Sequence, residues 1–171
     1  MVLKDKRSYR LDEQGGFLVV TALEASYCPT CQTLLTVRSA RERVYWKGDT
    51  DCEKKILLIR RLYCEQCDCI HHELPDCVVP YKRYSADIIG NIANGQAFKD
   101  APCPEGTARR LKAWWEAIKP YFMNILLTLI FRFGVSYGKP PAFRETVRAV
   151  ANSNNWIFAW QVCTRSAMRP G

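Results

Sequence analysis

Histidine is scarce in this chain. There are two in 171 residues, and they are neighbours, His71 and His72. Acidic residues nearly vanish after residue 105, where only Glu116 and Glu145 remain. The C-terminal part therefore lacks the side chains for a histidine-based triad or for three carboxylates around two metals. No Gly-x-x-x-x-Gly-Lys-Ser/Thr loop and no Gly-x-Gly-x-x-Gly fingerprint is present, which excludes the common phosphate-cradling turns. The opening stretch, MVLKDKRSYRLDEQ, carries no apolar signal segment. The apolar run Tyr121–Phe131 has 11 residues and includes Asn124 and Thr128, whereas spanning a bilayer takes ~20. It is read as a buried helix. Together these gaps predict a protein of the reducing cytoplasm that is neither an enzyme nor embedded in a membrane.

Cysteine, by contrast, is abundant, with nine residues. Four of them form two Cys-x-x-Cys knuckles, Cys28-Pro-Thr-Cys31 and Cys64-Glu-Gln-Cys67, which supply four soft thiolates for one closed tetrahedral zinc site. Four cysteines leave no open coordination position, so the expected zinc is structural. Cys-Pro-Thr-Cys alone would also suit a thioredoxin-like redox unit, but the second knuckle has no role in that scheme. There are 32 residues between Cys31 and Cys64, more than the ~15–20 of a compact four-cysteine site. The tight turn after each knuckle falls on Gln32 and Asp68, where glycine would be easier; Asp tolerates a left-handed backbone better than Gln. Cys69, His71 and His72 crowd the second knuckle and are alternatives for one ligand. Cys52, Cys77, Cys103 and Cys163 are read as small buried apolar residues.

The length suits one domain or two small ones, and 48% hydrophobic residues with five tryptophans can build a core. The formal net charge is +8. Residues 1–105 hold 15 basic and 15 acidic side chains, so the whole surplus lies in residues 106–171, with 10 Lys and Arg against two Glu. A polyanion is the natural partner of such a surface, although charge does not separate DNA from RNA.

The pattern along the chain is α+β. Up to residue 76 it shows short β-rich runs (GFLVVTA, LLTVRSARERVYW, KKILLIRRLYC) with a turn at Lys47–Asp51. This predicts an N-terminal zinc-ribbon domain, residues 1–76, in which the metal replaces a core too small to form alone. Residues 77–84 read as an extended linker because prolines disfavour helix. Residues 85–171 read as an all-helical, helix-turn-helix-like domain. Its first helix has Ser85 as N-cap, Asp87 in the first turn and Gly95 near its end. A second helix starts at about Pro104, with Ala108, Leu111, Trp114, Trp115 and Ile118 on one face, Arg109, Lys112 and Glu116 opposite and Arg110 on the flank. Further helices are expected from Pro141 and from Ser153 or Asn154. Trp156, Phe158 and Trp160 are read as core residues.

Residues 59–89, IRRLYCEQCDCIHHELPDCVVPYKRYSADII, resemble a bacterial family of unknown function. The resemblance is carried by Arg-Arg before a Cys-x-x-Cys knuckle, then His-Glu-Leu-Pro, then Pro-Tyr-Lys-Arg-Tyr. The order of zinc ribbon, Pro-Tyr-x-Arg-Tyr linker and helix-turn-helix is similar to the N-terminal regions of insertion-sequence transposases. There, a Ser-x-x-Thr-x-x-Arg-Trp pattern opens the recognition helix. Here CPEGTARRLKAWW holds that place, with Cys103 in the capping position and Leu111 for the first Trp. The resemblance spans residues 28 to about 118 and implies sequence-specific recognition of double-stranded DNA by an accessory or regulatory factor of a mobile element. Tyr81, Lys82, Arg83 and Tyr84 would contact the backbone or minor groove, and Thr107, Arg109, Arg110 and Lys112 would meet DNA from the second helix. A transposase or recombinase and a second copy of the chain are further expected partners. The alternative role is an adaptor that docks on a recombinase, transposition ATPase or polymerase.

Overall fold

The computed structural model describes residues 1–48, 50–134 and 141–156. It is α+β: a curled, strand-rich N-terminal sheet followed by a helical part. The strands are β1 Val2–Lys4, β2 Tyr9–Gln14, β3 Phe17–Ala22, β4 Thr36–Lys47, β5 Glu53–Cys64 and β6 Cys69–Pro75. The helices are α1 Ala86–Ala93, α2 Glu105–Phe133 and α3 Phe143–Asn152. The fourth expected helix, with Phe158, Trp160 and Cys163, lies outside the described residues.

The scaffold is the long hairpin of β4 and β5, two 12-residue strands paired antiparallel from Thr36/Tyr63 to Lys47/Glu53. At its tip Gly48 has φ +141°, and the Asp51 carbonyl occupies the place a Cβ would need. The 32 residues between the knuckles are thus mostly hairpin, which accounts for the long spacing. The other edge of β5 carries β3 in parallel at Leu57 and Leu58, then β6 antiparallel from Arg61 to Cys64. β1 joins β6 in parallel, and β2 closes the far edge on β3. Strands β1, β2 and β6 were not expected. β6 runs from the second knuckle to Pro75, just before the segment expected to be a linker. Pro75 sits at the strand's last position, where no further ladder donor is required.

One buried cluster runs through sheet and helices. Leu57, Ile59 and Tyr45 of the hairpin pack with Val78, Val79, Ile88, Ile89, Ile92, Leu111, Trp115, Phe122, Val147 and Val150. Residues 77–84 run through this cluster: Val78 and Val79 are fully buried, and Arg43 donates to the carbonyls of Val79 (2.7 Å) and Lys82 (2.9 Å). α1 forms as expected, with Ser85 Oγ accepting from Ile88 N.

The second helix differs from the expectation. Pro104 is its N-cap rather than its first residue, and α2 continues through Pro120 as one helix to Phe133. Pro120 is solvent-exposed, so the carbonyl that loses its partner there can turn to water. The run Tyr121–Phe131 is therefore the second half of α2. It is not uniformly buried, because Phe122 and Leu126 face the core while Leu127 and Phe131 are 62% and 95% exposed. α1 and α2 are joined by residues 94–104, which include a 3-10 turn at Phe98–Asp100, a longer connection than the 3–4-residue turn of a helix-turn-helix. Among the described residues, no helix is long and apolar enough to cross a membrane.

Buried charges fasten the parts together. Glu73 is fully buried; Arg60 Nε donates to it at 2.7 Å, the Ser26 hydroxyl donates to its other oxygen, and Lys4 Nζ lies 4.0 Å away. Asp76 accepts from Tyr9 OH at 3.0 Å and faces Arg144 and Arg148 of α3. Asn152 of α3 pairs with both backbone groups of Leu3, satisfying the outer edge of β1. Removing one partner of a buried pair leaves the others uncompensated, so Glu73→Ala should lower unfolding free energy by about 3–5 kcal/mol. Urea denaturation followed by circular dichroism checks this, and Glu73→Gln, which keeps an acceptor for Arg60 and Ser26, should lose less.

Candidate metal centre

The four knuckle cysteines come from two loops at the same end of the hairpin. In the first, Cys28 N donates to Thr33 O (2.8 Å) and Gln32 N to Cys28 O (2.9 Å), which folds the loop tightly. Gln32 then takes φ +61°, and Asp68, after the second knuckle, takes φ +47°. Both positions anticipated as left-handed are so. Asp68 is further held by Tyr63 OH, which donates to its carboxylate at 2.7 Å. Cys64 and Cys69 face each other across the β5–β6 turn, so the second knuckle is a direct product of that pairing.

The four sulfurs all lie within 4.8 Å of one another, with Cys28 and Cys67 Sγ 3.9 Å apart and Cys31 and Cys64 Sγ 3.4 Å apart. A disulfide would require about 2.05 Å, and all four are free thiols. Four sulfurs about 2.3 Å from a common ion would stand about 3.8 Å apart. The cluster can therefore hold a metal ion in four-coordinate geometry. Cys28 and Cys64 are fully buried, while Cys31 and Cys67 are half-buried, so the site sits at the surface with its inner half sealed by Leu35 and Leu62.

The electrostatics of the cluster call for a cation. The hydroxyl and backbone N–H of Thr33 lie on the Cys31 sulfur and hold its thiol down at about 6. Burial opposes the Cys28 thiolate, yet the N–H groups of Cys31 and Thr30 outweigh it and keep that thiol below its ordinary value. The opposite pair is pushed up: Cys67 first by the neighbouring Cys31 sulfur and then by burial, Cys64 first by burial. Two sulfurs are readily ionised and two resist, as expected where four negative charges would crowd one spot. A bound dication reverses that resistance.

The alternative ligands stand outside this set. His71 Nε2 is 3.5 Å from Cys28 Sγ and 3.1 Å from Cys69 Sγ, within hydrogen-bond reach of the sulfurs. His72, next along the strand, projects to the opposite face of the sheet. Among the described residues, the four cysteines are the only group of three or more cysteine, histidine or acidic side chains close enough to hold a metal.

The residues expected at DNA are placed as follows. Tyr81 is 66% exposed in a left-handed backbone (φ +61°). Lys82 Nζ sits 4.1 Å over the Trp114 ring, Arg83 is exposed, and Tyr84 is half-buried beside Trp46. On α2, Arg109 pairs with Glu105, Arg110 donates to Thr107 Oγ1 at 3.2 Å, and Lys112 donates to Ala93 O at 2.8 Å while pairing with Glu116 at 3.0 Å. Two of these three cations are thus already matched by carboxylates. The buried Arg60–Glu73 pair went unanticipated, although its residues belong to the Arg-Arg and His-Glu-Leu-Pro patterns.

One metal per chain is the expected stoichiometry by atomic emission. Cys64→Ser should reduce it to near zero, whereas Cys69→Ser and His71→Ala should leave it at one. Because protons compete for the same sulfurs, metal affinity should fall as pH is lowered, most steeply below about 6, where Cys31 also takes up a proton. Competition titration with a metal-chelating dye at several pH values checks the sign.

No curated protein and no solved structure matches the chain significantly. Residues 28–111, from the first knuckle cysteine to Leu111 in α2, match a domain of unknown function, DUF6431, and so are similar to a family whose activity is not assigned.

Proposed function

We propose that the protein is a zinc-stabilised, non-catalytic DNA-binding factor of a mobile genetic element, acting in transposon-end or operator recognition. The observation that carries this reading is the closed cluster of four cysteine sulfurs, which favours a structural ion over a reactive one. The all-thiolate donor set favours zinc. The ion pins the base of the β4–β5 hairpin, as in a zinc ribbon. The chain's formal charge of +8, all of it from residues 106–171, favours a polyanionic partner. On this reading α1 and α2 act as a helix-turn-helix-like pair with a lengthened connection, and Arg109 and Arg110 lie on the exposed side of α2. The Arg109–Glu105 pair is exposed on both sides, so it is weak, and the arginine is free to exchange its carboxylate for a base or phosphate.

Selection of bound duplexes from a random pool, at roughly physiological salt and with zinc-loaded protein, should yield an enriched motif. Arg109→Ala should relax preference at one position by roughly 1–3 kcal/mol if the arginine reads guanine. Equal binding of all duplexes by both proteins would overturn the recognition-helix role.

A second reading rests on a specific surface. Leu127, Phe131 and Phe133 are exposed along the end of α2, and such a patch suits docking on a recombinase, transposition ATPase or polymerase, or on a second copy of the chain. Under this reading, Leu127→Ser/Phe131→Ser should abolish self-association in sedimentation or co-purification of a defined partner. Unchanged behaviour of that variant would remove the support.

A further inference from the structure

Four arginines of the sheet have no carboxylate partner and gather on one of its faces. Among the described residues, Arg38, Arg41, Arg43 and Arg61 have no carboxylate within 4.0 Å, whereas Arg60, Arg109, Lys112, Arg144 and Arg148 all do. Register places them together. Arg41 stands opposite Ile59, Ser39 opposite Arg61, and Arg61 opposite His72, so these residues share one face across β4, β5 and β6. A bulge between Val37 and Ser39 brings Arg38 onto the same face, where its guanidinium lies 5.1 Å from the Tyr63 ring centroid. Glu42 projects to the other face, and the nearby acid Asp68 is engaged by the Tyr63 hydroxyl.

Arg43 is drawn under the helices by the carbonyls of Val79 and Lys82. The other three reach solvent, Arg38 and Arg41 being exposed and Arg61 partly so. Arg61 is positioned by a 3.5 Å bond to Ser39 Oγ. Next to them a crevice of about 220 Å³ is walled by Ile70, His72, Tyr81, Asn154 and Trp156. Burial, and then the charges of Arg41 and Arg61, disfavour protonation of His72, which marks the same surplus of positive potential.

We infer that Arg38, Arg41 and Arg61, on the sheet face opposite the metal centre, form the main phosphate-binding surface for duplex DNA, with Tyr81 at its edge. This deepens the nucleic-acid reading above and rests on it. A planar guanidinium with no internal carboxylate presents its full set of donors to a phosphate without first breaking an ion pair. The sheet is a rigid platform, because β5 is hydrogen-bonded on both edges. The front of α2 adds a smaller share, since Lys112 is tied to Ala93 O and Glu116 and Arg109 must first give up Glu105, which among the described residues leaves Arg110 as its one cation without a carboxylate.

The test is the salt dependence of binding to a B-form duplex, measured with metal-loaded protein by fluorescence anisotropy. The triple variant Arg38→Gln/Arg41→Gln/Arg61→Gln should reduce the slope of log K against log salt by up to about 2.7, at roughly 0.9 per lost phosphate contact. Affinity should fall tenfold or more at roughly 100 mM salt, and Arg109→Gln/Lys112→Gln should change the slope by less than the triple variant does. Arg41→Gln alone, at a fully exposed position, should lower the slope by about 0.9 and serves if the triple variant does not fold; metal content and circular dichroism report on that. Tight binding by wild type with unchanged affinity and slope in the arginine variants would overturn the sheet assignment and leave the DNA reading standing. Failure of wild type to bind any duplex even at low salt would overturn both.

Discussion

Four cysteine sulfurs held 3.4–4.8 Å apart are the constraint on which the rest of the fold depends. They come from two turns separated by the whole length of a hairpin, and without a cation they oppose one another. With a cation they would lock the base of β4 and β5 together. The second knuckle is the β5–β6 turn itself, and β6 carries Glu73, which gathers Arg60, Ser26 and Lys4 in the interior. The metal centre and the buried carboxylate are thus neighbours on one strand face, spaced by the two-residue repeat of β structure: Arg60, Leu62 and Cys64 on β5 against Glu73, His71 and Cys69 on β6.

A second consequence concerns charge. Acids in the first half of the chain do not simply cancel its bases on the surface. Glu73 and Asp76 are withdrawn into the interior, where they hold Arg60, Arg144 and Arg148. Part of the sheet face opposite the metal centre is left basic even though residues 1–105 are formally neutral. The +8 carried by residues 106–171 is partly spoken for by Asp5, Asp76 and Asp87, which pair with α3. Formal charge along a sequence and potential on a surface are therefore different quantities in this protein.

Features governed by short-range chemistry were legible. Two Cys-x-x-Cys spacings announce a metal cluster because ligand geometry is local to each knuckle. Left-handed turns at Gln32 and Asp68 follow from the same geometry, and the start of α1 follows from the capping chemistry of Ser85. Less legible were β1, which is short and gains its pairing from the remote β6, and β2, whose polar sequence hides a hairpin with the adjacent β3. Pro120 suggested a helix boundary, but packing of Phe122 and Leu126 holds the turns on either side in line. The run after it looked uniformly buried because periodicity does not say how much of a helix has a neighbour.

By itself, the sequence determined the four cysteines that gather in one cluster, the division into strand-rich and helical parts, and the caps and turns that propensity controls. Only the tertiary structure decided which cations are free. A lone arginine in a sequence carries the same charge whether or not a carboxylate lies within 4 Å, and that distance is set by strand register and helix packing. Arg60 and Arg61 are adjacent in the chain, yet the period of a β-strand sends one to a buried glutamate and the other to the opposite face, beside Ser39 and His72.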